Sequence, residues 1–96
     1  MSTETAEALD LSRAWRLHPQ VSVRPEPFGA LLYHFGTRKL SFLKERRLLD
    51  VVRTLSEQPS ALAACESAGV PASDLPAFRR ALETLRDSHM LVEVDE

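Results

Sequence analysis

The sequence predicts an α+β domain of winged-helix-like build, with an N-terminal three-stranded antiparallel sheet followed by three helices. Three observations carry that reading. Up to Leu43 the apolar residues alternate in short runs bounded by Pro and Gly. From Lys44 onward they recur every three or four residues. The helical part is cut into short pieces by Pro59, Gly69, Pro71 and Pro76. Strands first and short helices afterwards are the mark of an α+β fold.

In the first run, Val21 and Val23 alternate with Ser22 and Arg24, the pattern of a half-buried strand. Pro19, Pro25 and Pro27 bracket it, and proline cannot donate to a strand ladder, so the strand is expected over about residues 20–24. Ala30 to Phe35 is apolar, aromatic and bounded by Gly29 and Gly36, which suits a central strand and is too short for an ordinary helix. Gly36, Thr37 and Arg38 make a turn. Lys39 to Leu43 alternates again, so the two runs pair as a hairpin.

Leu48, Val51, Val52 and Leu55 then fall on one face of a helix expected from Lys44 to Glu57 and ended by Pro59. Ser60 is placed to cap a second helix, Ala61 to Ala68, stopped by Gly69. Ser73 or Asp74 caps a third. Pro76 is tolerated only in a first turn, which fixes where that helix starts. Leu75, Phe78, Leu82 and Leu85 form its apolar stripe, and Met90 to Val94 closes the chain as an extended segment. Residues 1–12, acidic and without amphipathic pattern, read as a mobile tail; residues 13–96 form the domain.

The 96 residues fit one domain, with 44% hydrophobic and 27% charged side chains. Such a chain buries one modest core and has little left to wall off a catalytic cavity. A single cysteine, Cys65, makes no internal disulfide, and a reduced, cytoplasmic setting follows. No apolar run is long enough to cross a membrane, and the acidic N-terminus lacks the apolar stretch of a signal peptide.

The inventory for chemistry is thin. His18, His34 and His89 have no second histidine or cysteine at metal-ligand spacing. The three glycines form no phosphate loop, and no nucleophile elbow occurs. The sequence therefore predicts a protein that is not an enzyme and holds neither cofactor nor metal. A formal net charge of −2 weighs against nucleic acid as a partner, because that affinity comes from neutralising phosphates. A winged-helix DNA-binding regulator using Arg79, Arg80 and Arg86 is the alternative reading. Glu83 and Asp87 on the same helix count against it. A plain protein–protein adaptor is a third possibility.

Two features fit a ligand that is a peptide. If the strand Lys39 to Leu43 lies at a sheet edge, its unpaired N–H and C=O groups can template an added strand, although Arg38 and Lys39 equally suit an edge that is simply protected. Basic side chains gather nearby: Arg38, Lys39, Lys44, Arg46 and Arg47 around the hairpin, with Arg79 and Arg86 two turns apart on the third helix.

The run His18-Pro19-Gln20-Val21-Ser22-Val23-Arg24-Pro25-Glu26-Pro27-Phe28-Gly29-Ala30-Leu31-Leu32-Tyr33-His34-Phe35-Gly36-Thr37-Arg38-Lys39-Leu40-Ser41-Phe42-Leu43 resembles the mycofactocin biosynthesis chaperones. These lie within a wider group similar to the D protein of pyrroloquinoline quinone biosynthesis. The strong part of the likeness covers about Trp15 to Val52. The resemblance implies a recognition domain for a ribosomally made, post-translationally modified peptide. Such a domain binds the precursor's leader as an added strand between the third strand and the third helix. On this chain the peptide-binding residues would be Lys39, Leu40, Ser41, Phe42 and Leu43 on the strand and Phe78, Arg79, Leu82 and Arg86 on the helix. The implied partners are the mycofactocin precursor peptide and a radical S-adenosylmethionine maturase, which would hold the iron–sulfur cluster itself. In one respect the chain departs from its quinone-pathway relatives: Leu43-Lys44-Glu45-Arg46 stands where they carry a small polar cap, which predicts a first helix shifted by a residue.

Overall fold

A computed structural model describes residues 9–94. Most of the expected mobile tail, residues 1–8, lies outside the described residues. The elements are β1 (Trp15–Leu17), β2 (Val21–Glu26), β3 (Gly29–His34), β4 (Leu40–Leu43), α1 (Arg46–Thr54), α2 (Ala61–Ser67), α3 (Leu75–Asp87) and β5 (Leu91–Glu93). The three-stranded antiparallel sheet is β2-β3-β4, and three helices follow it, as the sequence predicts. β1 and β5 pair with each other as a separate two-stranded sheet.

β2 runs two residues further than expected, through Pro25. The proline is accommodated because β2 is an edge strand, with β3 on one side only. Pro27 and Phe28 then form a two-residue turn, since Glu26 pairs with Gly29. Gly29 cannot be anything else without cost. Its φ is +146°, and a Cβ there would overlap the Leu43 carbonyl oxygen on β4. Gly29→Ala is expected to destabilise the fold by about 1–3 kcal/mol, read as a lower urea midpoint with unchanged slope.

β3 is central, and its alternation decides the two faces of the sheet. Ala30, Leu32 and His34 are buried, and Leu43 joins them from β4. Leu31 and Tyr33 lie on the other face with Leu40 and Phe42. The helices cover the first face. Val51, Val52 and Leu55 from the α1 region, Ala61, Ala64 and Cys65 from α2, and Phe78, Leu82 and Leu85 from α3 complete the core. Cys65 is fully buried there, and burial pushes its thiol pKa up, so it behaves as a small hydrophobe.

α1 begins at Arg46, later than the expected Lys44, and a 3₁₀ turn, Leu55–Glu57, ends it. Glu45 stands at the cap, its carboxylate accepting from the Arg47 N–H at 3.3 Å. That is how the chain manages without a small polar residue at this position. Ser60 caps α2 through the Ala63 N–H at 3.0 Å. Gly69, with φ +83°, closes the end of α2 in the left-handed region. α3 carries Pro76 in its first turn, after a 3₁₀ turn over Ala72–Asp74.

The segment just before β1 is packed against the body. Leu9 is buried, and its N–H donates to the Glu83 carboxylate at 2.8 Å. The carbonyls of Leu11 and Arg13 accept from the Leu62 and Ala61 N–H groups, satisfying two orphan donors at the start of α2. The boundary expected after residue 12 therefore falls too late: Leu9 already belongs to the core. Trp15 is buried, and its indole N–H reaches the Asp10 carbonyl at 3.1 Å.

His34 organises the β3–β4 turn. Its Nδ1 accepts from the backbone N–H groups of Gly36 (3.0 Å) and Thr37 (3.1 Å). The half-buried His18 ring lies 4.4 Å from it. Burial, and then the neighbouring His34, Arg16 and His89, hold the His18 imidazole below the usual histidine range. The folded chain thus disfavours the charged form. The unfolded chain takes up the proton first as pH falls through about 6.5, so stability present above that point is lost progressively below it. Melting temperature should fall between about pH 7.5 and 5.5, and the slope should flatten in His18→Asn.

Candidate functional site

β4 is the free edge of the main sheet. The His34 N–H donates to the Lys39 carbonyl at 3.0 Å. In the observed register this makes Leu32–Ser41 and Ala30–Leu43 the hydrogen-bonded pairs. Antiparallel alternation then turns the N–H and C=O of Leu40 and Phe42 outward, away from β3. The side chains divide the other way. Ser41 and Leu43 face the helices, while Leu40 (54% exposed) and Phe42 (60%) stand on the outer face, Phe42 with its ring 5.7 Å from that of Phe28.

Beside this edge, between β4, α1 and α3, runs a groove made of two adjoining hollows. One, of about 310 Å³, is lined by Ser41, Phe42 and Leu43 from β4, Leu48 from α1, and Ala81, Thr84 and Leu85 from α3. The other, of about 210 Å³, is lined by Glu45, Leu48, Ala77, Phe78 and Ala81. Leu48 and Ala81 belong to both. The walls are apolar apart from Ser41, Thr84 and, at the α1 end, Glu45. That end is closed by charge. Arg47 bonds Glu45 at 3.2 Å and Asp74 at 3.4 Å, and its guanidinium lies 5.4 Å from the centre of the Phe78 ring. Hydrogen bonds from Arg47 hold the Glu45 carboxyl below the usual carboxylate range.

Of the residues the sequence singles out, Lys39 to Leu43 lie along the free edge, and Phe78 lines the groove. The other three from α3 are elsewhere. Leu82 is fully buried in the core. Arg79 lies on another flank, 3.8 Å from Glu83, beside a separate hollow walled by Leu11 and Leu75. Arg86 is 3.1 Å from Asp87 and does not line the groove. The sequence reading misses Leu48, Ala77, Ala81, Thr84 and Leu85 as groove residues. A signal for part of them exists: Ala77 and Ala81 are four residues apart and Thr84 three further on, a run of small side chains beside the heavier stripe.

The chain matches the model of the peptide chaperone MftB family over residues 14–92. The chain belongs to that family. It is 61% identical over 87 residues to a protein named peptide chaperone MftB from Mycobacterium ulcerans, spanning 91% of this chain and 80% of the relative. The protein of that name from Mycobacterium tuberculosis is 61% identical over 83 residues, 86% of this chain and 76% of the relative. That from Mycolicibacterium smegmatis is 54% identical over 94 residues, 96% and 92% respectively. No solved structure matches the chain. Peptide chaperoning is a non-catalytic role, and the protein is not an enzyme. Among the described residues, no helix is long and apolar enough to cross a membrane.

Proposed function

We propose that the chain binds the leader of the mycofactocin precursor peptide as a fourth strand on β4 and presents it to a radical S-adenosylmethionine maturase in the cytoplasm. The observation that carries this reading is the free edge of β4 lying over an apolar groove. An added strand takes its main-chain hydrogen bonds from Leu40 and Phe42. Its inward side chains, every second residue, enter the hollows over Leu48 and Ala81, while its outward ones meet Leu40 and Phe42 as cross-strand neighbours. Backbone pairing supplies affinity, and the two hollows supply choice. The chaperone adds no chemistry. It orders a flexible leader and raises the effective concentration of the peptide's reactive end near the enzyme.

Arg79 and Arg86 serve in this reading as surface ion-pair residues of α3, and Leu82 as core. Calorimetric titration of the chain with the synthetic precursor peptide, beside a scrambled peptide of the same composition, tests the proposal. Saturable binding of the true sequence alone is expected. Equal binding of both would reduce the protein to an adaptor without peptide preference, and absence of binding by a folded chain would remove the reading.

A further inference from the structure

On the other flank of α1 from the groove lies a hollow of about 470 Å³, larger than either part of the groove. It opens beneath the β2–β3 turn, at the point where β4 ends. Lys44, the first residue beyond β4, lines it with Arg46 and Arg53. The two arginines are seven residues apart and so share a stripe of α1. None of these three cations takes part in a hydrogen bond or ion pair among the described residues. Two carboxylates also line the hollow, Glu26 and Asp50. Glu26 is held by Arg24 at 3.0 Å, which leaves Asp50 against three unmatched positive charges. Three exposed cations with one unpaired carboxylate leave this concavity net positive, which suits an acidic ligand.

We propose that this hollow is a second subsite for the same peptide, taking a carboxylate-rich segment that continues from the strand seated on β4. This rests on the peptide-binding reading above. The position favours a peptide over a free anion: a strand lying along β4 leaves its end beside Lys44, which itself lines the hollow, so the next few residues need only cross the β4–α1 connection to enter it. The ligand class is thus an apolar strand followed or preceded, at the Leu43 end of β4, by aspartate and glutamate.

A thermodynamic cycle tests it. The full chain and a Lys44→Ala/Arg46→Ala/Arg53→Ala variant are each titrated with the precursor peptide and with a copy in which every Asp and Glu is replaced by Asn and Gln. All three side chains are solvent-facing cations, so an unchanged melt is expected of the variant. Removing either partner should weaken binding ~10-fold, and removing both should cost little more than removing one. An Arg80→Ala control, on the exposed side of α3, should bind as the parent does. If the two losses multiply, or neither occurs while the parent chain binds the native peptide, the second subsite is refuted and the groove reading survives. If the parent chain binds no peptide, both fall together.

Discussion

Ala81→Glu is expected to weaken binding of the precursor peptide by ~30-fold or more while the chain remains folded. Ala81 belongs to both hollows of the groove, with Leu48 facing it from α1. It is partly exposed, so in the free protein a glutamate there can keep its carboxylate in water. Glutamate also has a high helix propensity, and α3 should tolerate it. In the complex, the added strand would cover the same carboxylate against Leu43, Leu48 and Leu85. Arg47, at the α1 end of the groove, is already engaged by Glu45 and Asp74. Burying an unpaired charge costs several kcal/mol, and ~2 kcal/mol already gives about 30-fold. The comparison is Phe42→Ala. Its side chain stands on the outer face, so it should lose only a cross-strand contact, a few-fold in affinity. Calorimetry for affinity and a thermal melt for folding separate the two variants. Equal affinity of Ala81→Glu and the parent chain would mean that the peptide does not enter this groove.

The strands of the main sheet and all three helices are legible because their signals are local. Alternation places Val21, Val23, Leu32 and Leu43 on one face, and period-four spacing places Val51, Val52 and Leu55 on another. What local signals cannot carry is pairing between distant parts of the chain. Trp15–Leu17 and Leu91–Glu93 are three residues each and pair across almost the whole sequence, so neither run by itself announces the second sheet. Leu9 is similar. It sits in an acidic, small-residue context that reads as a tail, and its burial depends on Glu83 and the start of α2 being close in space.

The groove shows the same division. The edge strand can be found from sequence, because the hairpin leaves β4 with one neighbour. Most of the helical wall cannot be found by hydrophobicity, because the stripe of largest side chains turns mainly to the core and reaches the groove only through Phe78 and Leu85, the rest being the smaller residues next to it. Ala77, Ala81 and Thr84 are small, so these groove residues carry the weakest apolar signal on α3. Arginines mislead for a related reason: Arg79 and Arg86 flank the core stripe in the wheel but lie beside Glu83 and Asp87 in space.

Leu82→Ala is expected to cost about 2–5 kcal/mol of folding stability and to leave the intrinsic peptide affinity of the folded fraction unchanged. Leu82 is fully buried, one residue along the helix from Ala81, and it packs in the core with Phe78, Leu85 and the sheet. Removing three heavy atoms there leaves a cavity that α3 cannot close without breaking its contacts to β5 and the N-terminal segment. A domain of this size has a total of roughly 5–10 kcal/mol to lose, so a measurable unfolded fraction is expected at 37 °C. Urea denaturation gives the stability loss directly. Titration at a low temperature, where the variant is folded, gives the affinity. A peptide contact at Leu82 would instead show as weakened binding under fully folded conditions, with only a small shift in the urea midpoint. The two expected outcomes, loss of affinity at Ala81 and loss of stability at Leu82, would thus separate the two faces of α3. One helix can serve both because a 100° step between successive residues turns adjacent side chains to different surroundings.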